Sequence, residues 1–164
     1  MNNKQQIYWF YKNEQIKLVE IDDKFSFNFF KPTIFNLKLH QGSVLLYLFW
    51  YIFSFGKYQI FYITDKRNNK VAHYSNILPK IFKYSFMKKN DWQIVNVFTF
   101  SDYRRHQLYQ FALAKILSEL KGANIWIGTR NDNIASINGI VKAGFKKVAN
   151  VSKTRVFGIY KLNE

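Results

Sequence analysis

From Val95 to Phe145 the apolar pattern changes period in a fixed order: strand, short turn, helix, strand, helix, Gly-Phe, strand. Only a mixed α/β chain carries such an order. WQIVNVFTF (Trp92 to Phe100) is dense in β-branched and aromatic residues, the composition of a strand. From Arg104 to Leu120, residues Leu108, Phe111, Ala112, Ala114, Ile116, Leu117 and Leu120 fall on one helical face. This spacing predicts a helix that begins just after Asp102 and stops at Lys121-Gly122. NIWIGT (Asn124 to Thr129) reads as a short buried strand and Asn133 to Ala143 as a helix closed by Gly144. FKKVANV and VFGIYKL read as closing strands.

Upstream, the runs IYWFY and FSFNFF and the alternation of Ile16, Leu18, Val19 and Ile21 predict early strands between Ile7 and Phe30. After Pro32, the apolar stretch Ile34 to Phe55, interrupted by His40, Gln41, Gly42 and Ser43, reads as helical. Its core, VLLYLFWYIFSF, falls short of the roughly 20 apolar residues that cross a bilayer. Being apolar all round, it belongs either against a sheet or in the plane of a membrane interface. YQIFYIT, the turn-rich DKRNNK and VAHYSNIL then predict a hairpin ending at Pro79. A basic aromatic connector follows, in which Ile81, Phe82, Phe86 and Met87 are either core anchors or a stacking surface between lysines. With 164 residues, 48% of them hydrophobic, and no repeat or linker, one domain spanning 1–164 is expected.

The absence of cysteine excludes disulfides and thiolate chemistry. Three scattered histidines in no ligand spacing predict no metal. The polar start, Met1 to Gln6, lacks the pattern of a secretory leader, so a cytoplasmic protein is expected. A formal charge of +15 favours polyanions of any kind: nucleic acid, anionic lipid, or a phosphate-rich cofactor or sugar nucleotide. The same charge also arises where lysine and asparagine usage merely follows base composition.

The turn Arg104-Arg105-His106-Gln107-Leu108-Tyr109 at a helix entry resembles the Arg-x-x-Gly-x-Gly/Ala turn of the GNAT N-acetyltransferase superfamily. Asn133, Ser136, Ile140, Gly144 and Phe145 fall in the register of that superfamily's later Asn-x-x-Ala/Ser and Gly-Phe pattern. The likeness covers about the last two thirds of the chain. The stretches Gly56 to Ile63, His73 to Ser75 and Tyr103 to Tyr109 more loosely resemble a subgroup found with cell-surface polysaccharide biosynthesis. Gln107 and Tyr109 stand where small residues are usual, and Ile140 where a tyrosine acid is often found.

The resemblance implies a GNAT-like α/β (α+β) fold with a central mixed, mostly antiparallel twisted sheet flanked by helices. It implies acetyl-CoA as co-substrate, its pyrophosphate held at Arg104, Arg105, His106, Gln107, Leu108 and Tyr109. Main-chain groups of Val97, Phe98 and Thr99 would meet the pantetheine arm, with Asn133 hydrogen-bonded nearby and Ser136 permitting close packing. Acetyl transfer needs a base for the amine and an acid for the departing thiolate. His73, on a strand beside the cofactor strand, is the leading base, and a structural histidine is its alternative. Tyr160 is a candidate acid. His106 reads as a cofactor contact and His40 as a core or helix-end residue. The implied partner is a small primary amine, with a nucleotide-linked amino sugar as its class. No specific nucleic acid is expected, peripheral membrane association stays open, and so does the choice between monomer and homodimer. A GNAT-like chain without activity and a basic module for nucleic acid or membrane are the rival readings.

Overall fold

The computed structural model describes residues 7–12, 19–39, 43–153 and 159–162. Among these residues eight strands form one sheet: β1 (Ile7–Lys12), β2 (Phe25–Phe30), β3 (Gln59–Asp65), β4 (Lys70–Pro79), β5 (Trp92–Thr99), β6 (Ile125–Arg130), β7 (Phe145–Lys153) and β8 (Tyr160–Leu162). Their order is β2-β3-β4-β5-β6-β1-β7-β8. Each neighbouring pair is antiparallel except β5 with β6, which is parallel. The helices are α1 (Val44–Phe53), α2 (Leu108–Glu119) and α3 (Ile134–Lys142). This is the mixed, mostly antiparallel sheet with flanking helices that the resemblance implies.

Alternation along the strands divides the core into two layers. Phe61 and Ile63 of β3, Ile77 of β4, Ile94 of β5 and Ile127 of β6 pack with Leu108, Leu113, Ile116 and Leu117 of α2 and Ile140 of α3. Tyr58, Ile60 and Leu78 pack instead with Tyr47 and Trp50 of α1. Each such side chain contributes about 1.5–3 kcal/mol by leaving water, so the sheet is held from both faces. The predicted hairpin is β3-β4. Its turn is set by Asp65, whose carboxylate accepts from the Arg67 backbone N–H at 3.0 Å and from its guanidinium at 2.9 and 2.7 Å, and by Asn69 at φ 55°. The Arg67 guanidinium holds the Asp65 carboxyl down to about 2.

Two helix expectations are corrected. The stretch from Ile34 is not helical: Thr33 and Asn36 close a small bridged turn, and the helix begins only at Val44, after Ser43. His40 lies outside the described residues, as do Ile16 and Leu18; Val19 to Ile21 are not strand. The helix expected just after Asp102 starts at Leu108. Ser101–Tyr103 form a 3-10 turn, and the next residues are irregular because Arg105 and Gln107 take left-handed conformations, φ 67° and 56°. Asn133 is the N-cap of α3, and Gly144, at φ 94°, ends it as expected.

Candidate functional site

β5 and β6 keep parallel register over three pairs only, Trp92 with Ile125, Gln93 with Trp126 and Ile94 with Ile127. Beyond them β5 stays paired with β4, Phe98 opposite Tyr74 and Thr99 opposite His73, so among the described residues its other edge is open. The parting coincides with a bulge, where Asn96 sits at φ 49° and the β4 register shifts. Asparagine tolerates this conformation better than most residues. The amide of buried Asn76 reaches the Asn96 carbonyl at 3.5 Å. The gap between the strands is a cleft of about 240 Å³ lined by Ile94, Val95, Asn96, Gly128, Thr129, Arg130, Tyr84 and Tyr160.

A second hollow, about 250 Å³, lies at the other end of the open edge. It is lined by Thr99, Tyr103, Arg104, Arg105, Gln107, Leu108, Tyr109 and Gln110. Arg104, Arg105, His106 and Gln107 are exposed. Among the described residues no side chain caps α2, whose first-turn N–H groups carry the positive end of the helix dipole. Two left-handed residues at the entry are the backbone arrangement from which anion-binding concavities are built. A phosphate fits the chemistry of this hollow.

Five of the six expected turn residues, all but His106, line the hollow. The ring of His106 packs edge-on to Phe25, 5.6 Å between centroids. The Leu108 side chain is buried, so its contribution is main-chain. Tyr109 turns inward: its hydroxyl is 3.4 Å from the Ser136 hydroxyl and its ring crosses Gly139. Burial pushes its hydroxyl up to about 12. Asn133 Oδ1 accepts from the Ser136 N–H at 3.1 Å, so this side chain is engaged in capping. Val97 and Thr99 are half-buried and Phe98 exposed on the open edge, where their main chain meets no second strand among the described residues.

His73 lies on β4 beside β5, as expected, but its imidazole faces α2 rather than the cleft and is fully buried. Nδ1 lies 2.7 Å from the Thr99 hydroxyl and Nε2 2.9 Å from that of Ser75. Desolvation drives its pKa down to about 3. Both nitrogens are occupied and the ring is neutral, which suits a positioning residue behind Thr99 better than a base open to an amine. Tyr160 is on the cleft wall. Its ring stacks on Tyr84 at 5.1 Å with planes 8° apart, and its N–H donates to the Lys83 carbonyl at 2.8 Å. The same two tyrosines and Val95 also line an adjoining cavity of about 130 Å³ under α1, with Leu46, Phe49, Trp50 and Lys83.

Sequence reasoning missed several wall residues. Asn96 carried a signal, an asparagine set between Val95 and Val97 in the strand. Thr129 and Arg130 could be placed only once β5 and β6 were known to part; Arg130 pairs with Asp132, its Nε 3.0 Å from Oδ1. Buried Asp91, which accepts from Trp126 Nε1 at 2.8 Å, Asn124 at 2.9 Å and the Lys88 N–H at 2.9 Å, anchors the connector that carries Tyr84. Of the connector's apolar residues, Ile81 and Met87 are core anchors, whereas Phe82 is half exposed. No group of three or more metal-ligating side chains occurs among the described residues.

Solved structures that share this fold include GNAT acetyltransferases. A GCN5-related N-acetyltransferase from Sphaerobacter thermophilus superposes with a TM-score of 0.66 over 89% of this chain and 49% of its own, at 7% identity. A tandem GNAT protein from the clavulanic acid biosynthesis pathway, solved without AcCoA, gives 0.62 over 91% of this chain and 52% of its own, at 11% identity. A GNAT-family acetyltransferase from Colwellia psychrerythraea gives 0.56 over 88% and 53%, also at 11%. The chain thus spans about half the length of each. No protein-family model and no curated protein matches the sequence. At such identities the likeness establishes the GNAT fold and no more.

Proposed function

We propose that this chain is an acetyl-CoA-dependent N-acetyltransferase acting on a primary amine of a small acceptor. The observation that carries the reading is the open edge of β5. It joins a basic, uncapped helix entry at Thr99 to a cleft at Val95 and Asn96, so one extended ligand with an anionic end can follow a single strand edge. Arg104 and Arg105 would hold the pyrophosphate, and the main chain of Val97, Phe98 and Thr99 the pantetheine amides. Acetyl-CoA supplies the acyl thioester. The Tyr160 hydroxyl, on the cleft wall, is the acid we assign to the departing group. His73 fixes Thr99 and thereby the strand edge.

The cavity under α1 is the acceptor's place. At about 130 Å³, with an aromatic lining and Lys83, it takes the amine-bearing ring alone, and the nucleotide of a nucleotide-linked amino sugar would lie outside it. Gln107, Tyr109 and Ile140 keep alive a chain with this fold and no activity. Incubation with acetyl-CoA and a panel of amines, read by free thiol release, separates the two: release that needs an amine supports the enzyme, and none with any amine supports the inactive reading.

A further inference from the structure

We propose that α1 docks the protein on an anionic phospholipid surface. All ten residues of α1, VLLYLFWYIF, are apolar or aromatic, yet only Tyr47 and Trp50 are buried. Leu45, Leu48 and Ile52 follow the i, i+3, i+7 spacing of one face, opposite Tyr47 and Trp50, and Phe55 lies exposed in the turn beyond the helix end. Leu45 is 76%, Ile52 56% and Phe55 89% exposed. Phe82 extends the patch from the connector, its ring 5.3 Å from that of Phe53. A contiguous apolar surface of this kind marks an interaction site.

Charge selects the occupant. The connector that carries Phe82 holds Lys80, Lys83, Lys88 and Lys89, and the carboxylate that follows them, Asp91, is buried and engaged by Trp126 and Asn124. Lys57 follows the end of α1, and Lys83 sits over the Phe49 ring at 4.9 Å. A second copy would bring another +15 of like charge to the contact, whereas anionic headgroups meet the lysines while the apolar row enters the acyl boundary. At ten residues, roughly 15 Å, α1 lies in an interface and does not cross one. No helix among the described residues is long and apolar enough to span a membrane. Leu46 and Phe49 line the cavity that adjoins the cleft, so docking sets its mouth at headgroup level. The proposal stands independently of the acetyltransferase reading.

The test is sedimentation of the full chain with vesicles of phosphatidylcholine alone and of phosphatidylcholine with phosphatidylglycerol, at low and physiological salt. The wild type is expected to pellet with the anionic vesicles, less so at higher salt. The exposed triple variant Leu45→Glu, Leu48→Glu, Ile52→Glu is expected to keep its circular dichroism and bind at least roughly tenfold more weakly. Wild type left in the supernatant with anionic vesicles overturns the proposal, as does equal binding by a folded triple variant. A wild-type dimer that the variant dissociates, with no vesicle binding, overturns it in favour of a second copy. If the triple variant loses its fold, the single change Leu45→Glu, at the most exposed position of the helix, decides in the same way.

Discussion

The Tyr109 ring lies so close over Gly139 that a Cβ at position 139 would stand 2.5 Å from its Cε1. The large residue on α2 and the missing side chain on α3 are therefore one packing solution, and they account for a tyrosine where the resembling turn carries a small residue. The helices approach because Gly139 cedes the volume that Tyr109 fills.

Gly139→Ala is accordingly expected to destabilise the fold by about 1–3 kcal/mol, the usual cost of overpacking, since the added Cβ forces the Tyr109 ring out of its packing against the core. Tyr109→Ala alone leaves a cavity. The double variant should be more stable than the sum of the two losses, which urea unfolding of all four proteins checks. Strict additivity would show that the two positions do not share this contact.

His73 makes stability depend on pH. Its folded pKa is depressed to about 3 from an ordinary 6.5, so the unfolded chain takes up a proton first as pH falls. The contribution is complete above about pH 6.5 and is lost on acidification toward pH 3, with a slope of about 1.4 kcal/mol per pH unit. Urea titrations of wild type and His73→Gln between pH 6.5 and 4.5 should differ by that slope. Parallel curves would mean that the imidazole is not buried as a neutral ring.

Arg104→Ala and Arg105→Ala should each weaken acetyl-CoA binding by about 1–3 kcal/mol if the guanidinium groups make charge-assisted contacts to phosphate. The rise in melting temperature with added ligand reads this directly. Unchanged shifts in both variants would move the phosphate site away from the α2 entry.

Tyr160→Phe keeps the stacking on Tyr84 and removes only the hydroxyl. Turnover is expected to fall on the order of 100-fold with acetyl-CoA affinity intact. Unaltered turnover would leave Tyr160 as a wall residue.

The strand and helix order from Trp92 onward was legible because period 2 and period 3.6 patterns alternate there with glycine punctuation. What escaped was set by three-dimensional relations. Nothing in NIWIGT says that β6 leaves β5 after Ile127, yet that parting makes the cleft. Nothing in HYS tells that His73 turns toward α2 rather than the acceptor, because a bulge beside Ala72 resets the face of the strand. The late start of α2 came from left-handed Arg105 and Gln107, conformations that neither residue type announces. Tyr84 sat unmarked among lysines, its position fixed by buried Asp91 several residues away.

The most direct test is calorimetric titration with acetyl-CoA at two salt concentrations. One equivalent should bind saturably, with an affinity that survives the higher salt because the pantetheine contacts along β5 do not depend on charge. Absence of heat at millimolar acetyl-CoA would contradict the account, and so would binding that collapses with salt and is reproduced by a DNA oligomer.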